Sequence, residues 1–267
     1  MEKCNIQPIG TYLEIDSAGY LIPEVSFEKI QEKWKPLLND YIDLVRKHYG
    51  ANTHSIYVRG SVAKGKAIDG VSDFDAMIVV NEYEDNETRK IWLQEVQEKL
   101  LSTVPFVTKI EMGTYTPQDI LSSPDRVLLK LQSLCVYGSD LRAAIEPLRP
   151  GAQTIVHAHH LERAFKKTYQ KFAEKNISPE DVQKWCTWIM KRMLRVGHEI
   201  VAERSQRFTR ELYTCWEGFS KYYPQKKDDM YHVLELAIYP TERKEEVLDV
   251  LDGIGKWLIG EVDVLLS

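Results

Sequence analysis

Two short apolar runs, Ile56-Tyr57-Val58 and Ala76-Met77-Ile78-Val79-Val80, constrain this chain more than any other feature of it. Both are rich in β-formers, too short for helices and separated by a glycine-rich loop, so they read as neighbouring strands. The second is entered through Ser72-Asp73-Phe74-Asp75. Carboxylates two residues apart at the entrance to a strand point to the same face of the sheet. Left alone, like charges that close raise the pKa of one partner; a divalent ion between them removes the repulsion and keeps both ionised. Magnesium suits such a place, because it takes hard oxygen ligands and completes its octahedron with substrate phosphates.

A phosphoryl-transfer centre with two metal ions draws a further carboxylate from another strand, to hold the ion that activates the attacking hydroxyl. Glu111 is the candidate. In Thr108-Lys109-Ile110-Glu111-Met112 a strand turns Ile110 and Met112 to the core and Glu111 to the opposite side. The plain alternative is an exposed strand glutamate in an ion pair. The Gly60-Ser61 turn after the first run supplies the other half of a site: glycine lets backbone N–H groups approach phosphate oxygens, and the serine hydroxyl donates to the same triphosphate. Arg59 and Lys64 are candidates for phosphate contact beside it, weighed against a strand-edge charge and a solvated lysine. Gly60 to Lys66 also fits G-x-x-x-x-G-K, the start of a P-loop. That loop needs Ser or Thr next and a helix from the lysine; this chain has Ala67 and then Asp69-Gly70, which rejects it.

Gly60-Ser61 followed by Ser72-Asp73-Phe74-Asp75 and a hydrophobic run resembles the signature of the DNA polymerase beta type nucleotidyltransferase superfamily. Glu111 falls where these enzymes place their third carboxylate. Val136-Tyr137-Gly138-Ser139-Asp140-Leu141 resembles the segment that closes the catalytic domain of the aminoglycoside nucleotidyltransferases, which also carry a helical domain behind an α/β part. The resemblance implies an α/β (α+β) fold, with a mixed sheet and flanking helices followed by an all-α helical bundle. It implies Mg²⁺, as two ions on Asp73, Asp75 and Glu111, and a nucleoside triphosphate, ATP first among them, beside Gly60, Ser61 and Ser72. It leaves the acceptor open.

The rest of the chain is consistent with two domains, residues 1–150 and 151–267, divided at Leu148-Arg149-Pro150-Gly151. Tyr12 to Ile22 reads as a hairpin around Asp16-Ser17-Ala18-Gly19, and Ser26 as the cap of a helix running to Gly50 with a kink at Pro36. A helix is expected from Glu87 to Leu101 and a third strand from Phe106 to Met112. From Gly151 the pattern is helical: Ile155 to Glu174, Pro179 to Arg204, Arg210 to Tyr222, Asp228 to Ala237 and Glu242 to Leu266.

In that half, Lys191, Arg192, Arg195, Arg204, Arg207 and Arg210 crowd around Gly197-His198-Glu199. Arg195, Arg210 and Tyr213 are the candidates for contact with the nucleotide's phosphates across an interdomain cleft. The alternative is a solvated helix face with Glu199 and Glu203 as partners. His157, His159 and His160 lack a zinc-ligand pattern and read as partly exposed histidines at a helix start, while Trp185, Trp188 and Trp216 read as core. Cys4, Cys135, Cys186 and Cys215 form no CxxC pair and read as reduced thiols.

A formal net charge of -5 is a poor match for a polyanion, so nucleic acid is not the expected partner, and no stretch of about 18 apolar residues points to a membrane. The sequence therefore predicts a cytoplasmic, Mg²⁺-dependent enzyme that moves a nucleoside monophosphate from ATP or another triphosphate to a hydroxyl and releases pyrophosphate. A small molecule such as an aminoglycoside is the first acceptor, with antibiotic resistance as the corresponding role, because an acidic site attracts a cation. A protein or RNA acceptor, or a nucleotidyltransferase-like antitoxin or regulatory module, is the alternative. A homodimer is left open.

Overall fold

In the computed structural model, which describes residues 6–267, the two apolar runs become β1 (Thr53–Arg59) and β2 (Phe74–Val80). They pair antiparallel, with Tyr57 opposite Met77 and Arg59 opposite Asp75. Cys4 lies outside the described residues. β3 (Ile110–Tyr115) runs parallel to β2, and β4 (Ser133–Gly138) antiparallel to β1, giving a mixed four-stranded sheet in the order β3-β2-β1-β4.

Alternation along the strands assigns two different faces. Ile56, Val58, Phe74, Ala76, Ile78 and Val80 form one core with α1 (Lys35–Tyr49) and α3 (Asn86–Thr103). Tyr57, Met77 and Val79 form a smaller one with Ile120 of α4 (Pro117–Ser122) and Leu129 of α5 (Arg126–Gln132). Ile110 and Met112 join the first core, so Glu111 takes the other face, as does Asp75. Trp34, Tyr41 and Phe74 are completely buried in the first core, where Tyr41 and Phe74 meet edge to face at 5.5 Å. Truncating a ring such as Phe74 to alanine costs about 3–5 kcal/mol.

Several elements differ from the sequence reading. The helix expected from Ser26 begins only at Lys35, after two 3₁₀ turns at Phe27–Lys29 and Glu32–Trp34. Pro36 therefore lies in the first helical turn, where its missing N–H costs nothing, and it starts the helix rather than kinking it. Ser26 donates to Glu28 at 2.7 Å instead of capping. The third strand starts at Ile110 because Val104 to Val107 forms a turn around Pro105. The N-terminal hairpin reduces to one bridge, Ile15 to Leu21.

The chain divides into two compact units: Ile22–Pro147, which holds the sheet, and Leu148–Ser267 with the N-terminal segment that ends at Leu21. That segment is tied to the helical unit by the Leu13 N–H on Phe208 O at 2.9 Å, the Thr209 hydroxyl on Thr11 O at 2.8 Å and the Leu21 N–H on Leu148 O at 2.8 Å. A domain of residues 1–150 had placed it with the sheet.

In the helical unit α7 (Pro179–Glu199) is central, started by Pro179 and capped by the Ser178 hydroxyl, which accepts from the Asp181 N–H. Around it lie α6 (Leu161–Phe172), α8 (Ala202–Ser205), α9 (Leu212–Tyr222) and α10 (Lys227–Ile238), then α11 (Lys244–Val250) and α12 (Lys256–Leu266) joined by a π turn at Leu251–Gly255. A Cβ at Gly255 would stand 2.7 Å from the Phe165 ring, so glycine lets the π turn approach α6. Trp185 and Trp216 are partly buried against this core, but Trp188 is 38% exposed, because the face of α7 that carries it turns to solvent. Cys186 and Cys215 are buried thiols. No helix of the described residues is long and apolar enough to cross a membrane.

Candidate active site

The site is built where β1 gives way to α2 (Gly60–Lys64). Gly60 turns the chain with φ of +69°, and a Cβ there would stand 2.5 Å from Asp75 Oδ2. Only glycine fits, and the turn lies directly against the carboxylate. Gly65 ends α2 in the left-handed region, where a Cβ would collide with Lys29 O at 2.5 Å. The chain then returns through a loop fixed by Ser72: its N–H reaches Ile68 O at 2.8 Å and its Oγ accepts the Ile68 N–H at 2.8 Å. Asp73 leaves that loop just before β2.

Asp75 has Arg59 as its neighbour on the antiparallel side of the ladder and Glu111 on the parallel side. One carboxylate oxygen each from Asp73, Asp75 and Glu111 lies within 4.8 Å of the others; the aspartates are half-buried and Glu111 is exposed. Among the described residues this is the one group of three such side chains so disposed. Each pair repels by an amount on the order of 3 kcal/mol at an effective dielectric constant of about 20, less where Glu111 meets water.

The donor set fits magnesium. Bonds of about 2.1 Å put adjacent ligand oxygens roughly 3 Å apart, a spacing that three carboxylates within 4.8 Å of one another reach by side-chain movement alone.

Other expected residues have internal partners. The Lys64 ammonium is 9% exposed and sits 2.7 Å from Glu24, with Lys66 at 3.7 Å on the same carboxylate. Burial pushes the Glu24 carboxyl up, but the hydrogen bond and charge of Lys64, with Lys66 and Lys29, bring it below the usual range. Ser61 and Arg59 are half-buried at the turn. Lys109 escapes the sequence reading although its signal was the same alternation that picked out Glu111. It forms an ion pair with Glu111, and its carbonyl accepts the Phe74 N–H at 2.8 Å.

Arg195, Arg210 and Tyr213 belong to the helical unit. There the solvated face expected around Glu199 is instead a buried pair. Glu199 is 5% exposed and accepts the N–H groups of His157 at 2.9 Å and Ala158 at 2.8 Å, with His157 Nδ1 at 2.8 Å. Burial lowers His157 to about 4, the charges of Arg210 and Arg195 act the same way, and Glu199 opposes them. The imidazole is thus neutral at pH 7 and donates through Nδ1. Burial raises the Glu199 carboxyl, but His157 and the two amides outweigh it and hold it below the usual range. Glu203 accepts the Ala152 N–H at 2.9 Å. Of the three histidines only His159 is exposed. Tyr213 lines a cavity of about 470 Å³ with Tyr12, Arg207 and Glu217.

Residues 38–123 match the model of the nucleotidyltransferase domain family, a span that holds the Gly60 turn and all three carboxylates. Those residues are a nucleotidyltransferase domain. The resemblance to the DNA polymerase beta type, seen in the glycine-serine turn and the aspartate pair, holds. The chain shares the fold of the spectinomycin adenyltransferase AAD(9) from Enterococcus faecialis, solved with ATP and spectinomycin: TM-score 0.53, 12% identity, 86% of this chain and 99% of that one covered. A tri-AMPylated HEPN toxin with its MNT antitoxin from Shewanella oneidensis matches at 17% identity over 52% of this chain and 92% of that chain, with a TM-score of 0.27. A toxin-antitoxin with AMP-PNP matches at 19% identity over 51% and 98%, with a TM-score of 0.29. No curated protein matches the chain.

Proposed function

We propose that the nucleotidyltransferase domain transfers a nucleoside monophosphate from a triphosphate, ATP first, to the hydroxyl of a small acceptor. The acceptor oxygen attacks the α-phosphorus, the bond from that phosphorus to the oxygen bridging to the β-phosphate breaks, and pyrophosphate leaves. Asp73 and Asp75 hold divalent metal, with Glu111 completing the set, and Glu111 takes the proton of the attacking hydroxyl. The metal, when bound, supplies positive charge to the phosphate oxygens and lowers the pKa of the acceptor hydroxyl. Gly60 and Ser61 hold the triphosphate: glycine keeps the backbone low against Asp75, and the serine hydroxyl donates to phosphate oxygen. Arg59 is carried as a further phosphate contact.

One observation carries this reading: the carboxylates of Asp73 just before β2, Asp75 in β2 and Glu111 in β3 converge within 4.8 Å, beside a glycine turn of positive φ that lies against Asp75. The choice of a cationic hydroxylated acceptor, of the aminoglycoside kind, rests on the acidic site and the net charge of -5. The bound ATP and spectinomycin of the adenyltransferase that shares the fold support the same choice. The test is pyrophosphate release with each nucleoside triphosphate and Mg²⁺ over a panel of aminoglycosides and aminocyclitols, with mass spectrometry of the acceptor. A mass gain of one nucleoside monophosphate on a small acceptor, abolished by chelation, is the expected result. Modification of a protein or RNA instead, or tight binding of a partner protein without turnover, would redirect the reading to the other acceptors or to a regulatory module.

A further inference from the structure

We infer that Lys109 is a tethered counter-cation that competes with divalent metal for Glu111 and so sets the metal affinity of the carboxylate trio. The inference rests on the metal-dependent reading above. In the parallel ladder Phe74 stands beside Ile110 and Asp75 beside Glu111, and the Phe74 N–H donates to Lys109 O. Asp73 and Lys109 stand immediately before the paired residues Phe74 and Ile110. Residues two apart on a strand share a face. Asp75 and Glu111 are ladder partners, Asp73 converges on them within 4.8 Å and Lys109 pairs with Glu111, so three carboxylates and one ammonium meet at the entrance to the two strands.

The ammonium is a flexible point charge with three donors and no fixed geometry, so it neutralises part of the cluster without shaping it. It is paired to Glu111 Oε1, and the two side chains are 57% and 44% exposed. A pair that open to water is weak and yields to an ion of twice the charge. Lys109 thus makes the metal-free cluster tolerable and must leave Glu111 when metal arrives. The donor chemistry that fits magnesium already has an internal stand-in.

The test is a titration of the full chain with Mn²⁺ in the absence of nucleotide, with free ion followed by electron paramagnetic resonance. Wild type, Lys109→Met, Glu111→Gln and the double variant are compared, and circular dichroism confirms that each is folded. Lys109→Met is expected to tighten Mn²⁺ binding roughly two- to fivefold, the range that an exposed ion pair spans. In the Glu111→Gln background the same substitution is expected to change nothing. Equal affinities in wild type and Lys109→Met overturn the inference and leave the metal site standing. Tightening that persists in the Glu111→Gln background also overturns it, because the charge then acts at large and not through Glu111. Failure of wild type to bind Mn²⁺ without nucleotide overturns this inference, and the same titration with a nonhydrolysable ATP analogue present tells whether the metal-dependent reading falls with it.

Discussion

Asp73, Asp75 and Glu111 bring three carboxylates within 4.8 Å of one another at a site open to solvent on the Glu111 side, whereas Glu199 is buried with an amide N–H on each oxygen and the His157 ring beside it. Both clusters place carboxylates where they are costly. The difference is that the second is enclosed, with amide and imidazole donors on its oxygens, and the first reaches solvent through the exposed Glu111. A finished polar cluster repays its burial through its own hydrogen bonds and serves the fold. An acidic cluster that reaches solvent is open to a cation from outside, which is the property the proposed metal site needs.

Substitution separates the two most sharply. On the proposed metal-dependent reading Asp75→Asn removes a ligand, and nucleotidyl transfer is expected to fall by about 10³-fold or more. Because it also relieves repulsion, the midpoint of urea unfolding is expected to hold or rise; a large loss of stability would place Asp75 with the finished clusters. Glu199→Gln is the converse case. It leaves the His157 and Ala158 amides with a weaker partner, and urea unfolding is expected to show a loss of about 3 kcal/mol.

Acid sharpens the contrast in the helical unit. Folded His157 stays neutral down to about pH 4, while an imidazole in the unfolded chain takes a proton near its ordinary pKa of about 6.5. Between those values the unfolded state binds more protons, so stability is complete above about pH 6.5 and is lost as pH falls toward 4, by an amount on the order of 2–3 kcal/mol. In His157→Gln that part of the pH dependence of the unfolding midpoint is expected to flatten. The smallest effect concerns Tyr41, whose hydroxyl is buried with no hydrogen-bond partner among the described residues. Burial pushes that hydroxyl's pKa well up, and Tyr41→Phe is expected to leave stability within about 1 kcal/mol of wild type or to raise it.

These clusters also mark what the amino-acid sequence made legible. The carboxylate trio could be read because a strand alternates: Asp73 and Asp75 two apart, and Glu111 between Ile110 and Met112, each announce a face. The strands and the helical half followed from changes of period in the same way, whereas the mixed sheet was implied by the family resemblance. The His157–Glu199 pair could not be read, since 42 residues separate its members and nothing local announces a tertiary hydrogen bond. Short elements were hidden too. Pro117–Ser122, Arg126–Gln132 and the strand Ser133–Gly138 follow one another too closely for any period to establish itself. Lys64 looked like a loop lysine facing phosphate, and its pairing with Glu24, 40 positions away by number, is again a matter of tertiary contact.

The central claim is that Asp73, Asp75 and Glu111 gather divalent metal for chemistry on a triphosphate. Crystals grown with Mn²⁺ and a nonhydrolysable ATP analogue test it most directly, through anomalous diffraction at the manganese edge. The account predicts one or two strong peaks at about 2.0–2.3 Å from oxygens of Asp73 and Asp75, with analogue phosphates completing the coordination. Analogue bound elsewhere, with no manganese on either aspartate, would contradict it.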